Sequence, residues 1–148
     1  MMIKRTGFTL LELIVVISLI ALLLGVGLPR FRAMQEQGKV AKAKAELGTL
    51  RAAVESYYLH NSNTYPTALS NLTTAIPSIV TSIPDDAFAT AGTSYQYVRG
   101  GTNNKFFIIY SIGPNGNGSA VISGTNTVTE TNGASCLYVS NMGSDTQP

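Results

Sequence analysis

The feature that most constrains this chain is an apolar run from Phe8 to Leu28. Within these 21 positions, only Thr9, Glu12 and Ser18 have polar side chains. As a helix, 21 residues span roughly 30 Å, which is the thickness of the hydrocarbon core of a bilayer. The run therefore predicts a membrane-spanning helix. It also raises a question, because a carboxylate such as that of Glu12 costs about 2.5–3.5 kcal/mol inside a membrane and needs a partner.

Composition excludes several classes of function. The chain has 148 residues, which suits one domain plus an appendage, and its formal net charge of +2 is too small to indicate nucleic-acid binding. With one cysteine, Cys136, and one histidine, His60, the sequence offers no intrachain disulfide and no multi-cysteine metal cluster. It also shows no nucleophile–base pair and no phosphate-binding loop. We therefore do not expect an enzyme.

Beyond the apolar run, the pattern becomes that of an amphipathic helix. Val40, Leu47 and Val54 recur every seven residues, a second apolar set lies beside them, and the charged residues fall mostly off this stripe. We predict one helix from about residue 8 to about residue 60. Its first half is apolar all round and its second half is amphipathic.

The rest of the chain predicts a small β-rich head. A proline-containing loop follows the helix, with a short helix near residues 68–75. Gly- and Asn-rich loops then separate four β-rich runs. These runs are residues 94–99, 105–112, 120–123 and 135–140. The predicted fold class is α+β, with the long N-terminal helix packed on a small antiparallel β-sheet of three or four strands.

These patterns divide the chain into four segments. The predicted segments are a leader (1–7), a transmembrane or filament-core helix (8–29), an amphipathic helix continuing into the head (30–63), and a globular β head with a loop-rich C-terminal part (64–148). The leader is short and basic and has no apolar core of its own. No A-x-A-like cleavage site follows the apolar run, so the start of the chain does not resemble an ordinary secretory signal.

The stretch R-T-G-F-T-L-L-E resembles the processing site of the type IV pilin superfamily, which includes pilus subunits and the pseudopilins of type II secretion. The resemblance implies that a prepilin peptidase cleaves after Gly7 and N-methylates Phe8. It implies a precursor in the bacterial inner membrane, surrounded by lipid, and an inner-membrane assembly platform as a partner. It also implies a homo-oligomeric helical filament with the apolar helices at its centre.

Within that resemblance, Glu12 acquires a partner. Cleavage after Gly7 creates an amine at Phe8, one helical turn before the carboxylate. Our hypothesis is that Glu12 of one subunit meets the Phe8 amine of its neighbour and fixes the axial register of the bundle, as buried polar residues do in coiled coils. The alternative is that Glu12 simply lies at the membrane interface.

Pro29 ends the apolar run, with Gly25 and Gly27 close before it. A proline in a helix removes a hydrogen bond and crowds the preceding turn. One interpretation is an ordinary kink at the membrane boundary. The other, which the family resemblance favours, is a segment that straightens or melts during assembly of the filament.

Two head motifs resemble the major pseudopilin of type II secretion. They are Y-P-T at residue 65 and the loop S-I-G-P-N-G at residue 111. That family has a D-P-W-like stretch and a G-x-D-G loop that helps to bind calcium. In this chain, Ala87-Phe88 follows the acidic pair Asp85-Asp86, where the family has Pro-Trp. Asn115 replaces the loop aspartate, and the loss of that negative charge weakens a hard-cation site. We expect no cofactor, and the weak calcium candidates are Asp85, Asp86 and Asn115.

Two functions remain open. The chain is a structural subunit of a type IV pilus, or a pseudopilin of a type II secretion system. The Y-P-T motif and the acidic pair favour the pseudopilin, whereas the Ser/Thr/Asn/Gly-rich tail and the missing calcium aspartate favour a surface pilus, which we prefer. The final location is accordingly an extracellular pilus or a periplasm-spanning pseudopilus. A filament-tip binding subunit is less expected, because such subunits often lack the glutamate at position 12.

Overall fold

The computed structural model describes residues 7–124, 127–131 and 136–143. The chain forms two compact units, one ending at Gln37 and the other beginning at Gly38. A single helix, α1 (Leu10–His60), begins in the first unit and ends in the second. The predicted long helix is thus confirmed, with its first residue two positions later than expected.

In the first unit, α1 exposes apolar side chains all round. Leu22, Leu23 and Leu24 follow one another, so they point in three directions about 100° apart, and all three are more than half exposed. A helix that is apolar on every side belongs in a membrane or in the centre of a larger assembly. Among the described residues, α1 is the one helix that is long and apolar enough to cross a membrane.

In the second unit, one face of α1 is buried and the other is exposed, as the seven-residue periodicity predicts. The buried residues of this face are Ala43, Leu47, Leu50, Ala53 and Val54. They form one apolar cluster with Phe107, Ile109 and Leu137 of the β strands. The amphipathic half of the helix therefore supplies one wall of the head's core.

The strands form two antiparallel sheets. The five strands are β1 (Gln96–Gly100), β2 (Phe106–Ser111), β3 (Ser119–Ile122), β4 (Val128–Thr131) and β5 (Leu137–Ser140). A three-stranded sheet has the order β1-β2-β5, and β3 pairs with β4 in a separate two-stranded sheet. The predicted α+β class is confirmed. Strand β4 was not predicted, because its Val-Thr-Glu-Thr sequence has one apolar residue and lies in a polar tail.

Strand β2 is buried on both of its faces. Phe107 and Ile109 lie in the cluster that includes the helix, whereas Ile108, which points the opposite way, packs with Ala120 and Tyr138 in a second cluster. Successive strand residues alternate between faces, so a strand covered on both sides reads as a continuous apolar run. This explains the F-F-I-I-Y sequence of β2 and places the hairpin of β3 and β4 against the face of the sheet away from α1.

The chain between α1 and β1 contains a one-turn helix, α2 (Asn71–Thr74), inside the segment predicted to be helical. Polar contacts fasten this connection to the sheet. The Tyr97 hydroxyl donates to the carbonyl of Pro66 at 2.9 Å, and the Arg99 guanidinium donates to the carbonyl of Tyr65 at 2.6 Å. The Tyr65 ring stacks on Tyr58 near the end of α1, so the Y-P-T segment joins the helix to β1.

Two leucines of α1 provide a matched test of this packing. Leu47 is 1% exposed and Leu59 is 73% exposed. We expect Leu47→Ala to lower the free energy of unfolding by about 2–5 kcal/mol, because it leaves a cavity in the core. Leu59→Ala removes the same atoms at the surface and is expected to cost about 0.5 kcal/mol or less. Urea unfolding of the detergent-solubilised chain, followed by circular dichroism, measures both, and equal losses would contradict the assigned core.

Candidate functional site

The predicted processing site lies in a short segment without regular structure. Gly7, Phe8 and Thr9 precede the first residue of α1, and all three are exposed. An added Cβ at Gly7 would meet no atom within 4 Å. The peptide bond between Gly7 and Phe8 is therefore outside the helical hydrogen-bond ladder, as a bond that enters a peptidase must be. The cleavage itself stays a prediction.

Thr9 caps the N-terminus of α1. Its side-chain Oγ1 accepts a hydrogen bond from the backbone N–H of Glu12 at 3.2 Å, and its carbonyl accepts one from Leu13. This is the N-cap geometry, in which a threonine satisfies a backbone donor that has no partner in the helix. The sequence T-L-L-E also has the S/T-x-x-E spacing of a capping box. Thr9 and Glu12 carry this signal in the sequence, although it was not among the predictions above.

Glu12 therefore has a local role beside its predicted role between subunits. It lies in the first turn of α1, where a negative charge interacts favourably with the helix dipole, by about 0.3–1 kcal/mol at exposed sites. Among the described residues, neither of the two recorded salt bridges involves its carboxylate. The cap explains why an acid is compatible with this helix start, but the local gain is smaller than the cost of burying the charge in a membrane.

The helical backbone of α1 continues through position 29. The side chain of Pro29 lies outside the described part of the structure. Its predicted part in subunit assembly therefore stays a prediction.

Asp86 is a buried carboxylate that accepts hydrogen bonds from three protein donors. It is 4% exposed. Its Oδ1 accepts from the Ser111 hydroxyl at 2.7 Å and from the Phe88 N–H at 3.0 Å, and its Oδ2 accepts from the Ile112 N–H at 2.9 Å. The carboxylate therefore ties the loop before β1 to the end of β2.

The other two calcium candidates are placed differently. Asp85 is exposed, and its Oδ2 accepts a hydrogen bond from the Gly92 N–H at 2.9 Å. Asn115 lies in the exposed turn that follows β2. Within the described ranges, no group of three or more His, Cys, Asp or Glu side chains is placed to hold a metal ion. The structure brings Asp86 to positions 111 and 112, close in sequence to Asn115, but through hydrogen bonds to the protein.

Tyr95 connects the loop before β1 to helix α1. Its hydroxyl donates to Oε2 of Glu46 at 2.6 Å, and Lys42 lies 3.8 Å from the other oxygen of the same carboxylate. Burial raises the pKa of Tyr95 well above the ordinary 10.0, and the hydrogen bond to the Glu46 carboxylate adds to this shift. Burial also raises the pKa of Tyr97, with Arg99 partly opposing it. Neither tyrosine was predicted to have a specific role, because the partners of both lie far away in the sequence.

Two family models of known proteins match successive parts of this chain. The family model of the prokaryotic N-terminal methylation motif matches residues 2–28, and the model of type II secretion system protein G matches residues 30–126. The first match contains the predicted processing site and Glu12. The second covers the amphipathic half of α1 and most of the head.

Individual relatives include type II secretion core proteins G and a type IV pilin. The type II secretion system core protein G of Aeromonas hydrophila is 32% identical over 127 residues, which is 76% of this chain and 85% of the relative. The protein of the same name from Pseudomonas aeruginosa is 28% identical over 127 residues, 76% of this chain and 86% of the relative. The type IV major pilin PilA of Myxococcus xanthus is 34% identical over 55 residues, 37% of this chain and 25% of that pilin. No solved structure matches the chain.

The raised pKa values of Tyr95 and Tyr97 predict a loss of stability in alkali. A folded-state pKa above the unfolded value of 10.0 means that the folded chain keeps a proton that the unfolded chain has lost. Stability from these groups is therefore complete below pH 10.0 and falls as the pH rises from there towards the folded-state pKa. Urea unfolding from neutral to alkaline pH measures this fall, which we expect to be shallower in Tyr95→Phe and Tyr97→Phe. A double variant that loses stability as steeply as the parent would contradict the assignment.

Proposed function

Because the chain belongs to the type II secretion system protein G family, we propose that it is a pseudopilin, a structural subunit that polymerises through its N-terminal helix into a periplasmic filament. The observation that carries this proposal is the match over residues 30–126, which includes the amphipathic half of α1 and most of the head. The sequence alone favoured a surface pilus. The comparisons favour the pseudopilin. The match to the Myxococcus pilin covers 37% of the chain, whereas the matches to the type II secretion core proteins G of Pseudomonas and Aeromonas each cover 76%.

The first step in this function is processing of the precursor. The N-terminal methylation motif supports cleavage by a prepilin peptidase and modification of the new amine. Cleavage after Gly7 removes Lys4 and Arg5 and leaves Phe8 as the first residue. The bond lies in the exposed segment before α1, so the peptidase can act without opening the helix.

The second step is transfer of the helix from lipid to filament. Burying one leucine side chain is worth about 1.5–3 kcal/mol relative to water, so the apolar residues of α1 stay in the inner membrane until another apolar environment receives them. The apolar helices of neighbouring subunits are such an environment. Lipid tails are as apolar as leucine, however, so hydrophobicity alone gives helices no preference for one another over lipid.

Glu12 supplies the preference that apolar residues cannot. Its carboxylate is costly in hydrocarbon, and in the assembled filament the Phe8 amine of an adjacent subunit relieves that cost. The pair also selects one axial offset between helices that otherwise slide freely. We assign Gly7 and Phe8 to processing, and Phe8, Glu12 and Pro29 to assembly, on an inner-membrane platform that extracts the subunits.

The second candidate function is a type IV pilus subunit, which the match to the Myxococcus pilin keeps open. A deletion strain separates the two. If the chain is a pseudopilin, deletion abolishes secretion of exoproteins and leaves surface fibres and twitching motility unchanged, and expression of the parent gene restores secretion. Loss of surface fibres with normal secretion would overturn the pseudopilin in favour of the pilus.

The role of Glu12 is tested by separating its charge from its place in the helix cap. We expect Glu12→Gln to reduce filament formation about tenfold or more, because breaking a buried charge pair costs about 3–5 kcal/mol. The backbone N–H that Thr9 caps is unchanged in this variant. Filaments are counted by electron microscopy in cells that overproduce the subunit, and mass spectrometry checks that the subunit still begins at methylated Phe8.

Ser18→Ala is the matched control for this experiment. Ser18 is the other polar residue well inside the apolar run, and its hydroxyl donates to the carbonyl of Ile14 in its own helix. It therefore needs no second subunit, and we expect normal filaments. If Glu12→Gln assembles as well as Ser18→Ala, the carboxylate acts only in the helix start and the register hypothesis is wrong.

A further inference from the structure

We infer that the head of this subunit needs no calcium, because a hydrogen-bonded clasp centred on Asp86 holds the turn for which the family resemblance implies a bound ion. The clasp consists of Asp86, Ser111, Ile112 and the turn 113–118. The described residues around this turn do not fit a calcium site, and they do fit a structure closed by the protein's own donors. This inference does not depend on which kind of filament the subunit builds.

The first argument is the orientation of the groups around Asp86. A calcium site needs six to eight oxygen ligands directed at the ion. Around this carboxylate, the near groups are instead donors: the Ser111 hydroxyl and the N–H groups of Phe88 and Ile112, all within 3.0 Å. Their positive ends point at the two oxygens, so they occupy the directions from which a cation would approach. Both oxygens are thus satisfied at 4% exposure.

The second argument is that the hydrogen bonds continue from Asp86 into the turn. Ser111 is fully buried, donates to Asp86 and accepts the N–H of Gly113 at 3.1 Å. Ile112 donates its N–H to Asp86 and accepts the N–H of Gly118 at 2.8 Å with its carbonyl. A further bond, from the Gly116 N–H to the Gly113 carbonyl at 2.9 Å, closes the turn. The carboxylate therefore fixes both ends of the turn through neutral donors.

The third argument is steric. An added Cβ at Gly118 would lie 2.7 Å from the Cβ of Cys136 and 2.7 Å from the carbonyl oxygen of Ile112. Glycine therefore lets the end of the turn lie directly on the buried backbone before β5. Gly113 and Gly116 have φ values of 71° and 70°, the left-handed conformation that glycine adopts without strain. The conformation of the turn is thus fixed by packing at Gly118 and by the backbone geometry of Gly113 and Gly116.

The fourth argument is charge. The turn sequence from 113 to 118 is Gly-Pro-Asn-Gly-Asn-Gly, which has no carboxylate. Asp85, the nearest other acid in sequence, already accepts the N–H of Gly92. A divalent cation bound to Asp86 would have to compete with the three hydrogen bonds that this carboxylate already accepts. Fewer charged ligands and a carboxylate that is already occupied both weaken binding of a hard cation.

The test compares thermal unfolding of the full chain in detergent with a chelator and with millimolar calcium. We expect the same melting temperature for the parent in both. Asp86→Asn turns an acceptor into an amide facing donors, and Ser111→Ala removes the central hydroxyl. We expect each to lower the melting temperature by about 5 °C or more, equally in both buffers, because each leaves buried polar groups without partners.

Asp85→Asn is the matched control, since it changes the neighbouring exposed carboxylate and is expected to lower the melting temperature by less than half as much as Asp86→Asn. If Asp86→Asn does not fold, Ser111→Ala and the parent in the two buffers still decide. A calcium-dependent rise of several degrees in the parent would overturn the inference. So would an Asp86→Asn variant as stable as Asp85→Asn. Neither result bears on the secretion phenotype of a deletion strain, which tests the proposed function separately.

Discussion

Within the part of the chain that the structure describes, the apolar first half of α1 has no cover, and this constrains what the rest of the molecule must do. Among the described residues of the first unit, every apolar side chain is exposed. In the proposed function, lipid covers this surface before assembly, and copies of the same helix cover it afterwards. The head must therefore be stable without help from this part of the helix, because the surroundings of that part change during the life of the subunit.

The head meets this requirement by placing strand β2 at its centre. The amphipathic half of α1 covers one face of β2, through Leu47, Leu50 and Val54, and the hairpin of β3 and β4 covers the other. The head thus has three layers, which are the amphipathic half of α1, the three-stranded sheet and the hairpin of β3 and β4. The Asp86 clasp and the Tyr95–Glu46 hydrogen bond then fasten the loops to these layers. The result is a core that is independent of the membrane segment although one continuous helix enters both.

Much of this was predictable because it depends on short-range patterns. The apolar run and the seven-residue periodicity identified α1, and the apolar sequence of β2 identified a strand, although not its central position in the head. Strand β4 was missed because four polar-rich residues become a strand only by pairing with β3. The hydrogen bonds of Asp86 were not predicted, because its donors at 111 and 112 lie 25 and 26 residues away and meet it only in the fold. The cap at Thr9 was readable from T-L-L-E and was overlooked. The pilus was preferred because the tail composition and the missing calcium aspartate were weighed above the Y-P-T motif and the acidic pair.

Because Thr9 caps α1 so close to Gly7, the proposed cleavage would change the charges at the start of this helix. Before cleavage, the first turn of α1 combines the positive end of the helix dipole with the Glu12 carboxylate, and the two attract. Cleavage after Gly7 would add a cationic amine two residues before the helix, and N-methylation would keep that charge. The same carboxylate would then face both its own dipole and its own new terminus, while every neighbouring copy presents an identical amine. Removal of residues 1–7 would thus leave a helix end that carries both an amine and a carboxylate, with a charge pattern complementary to its own copies.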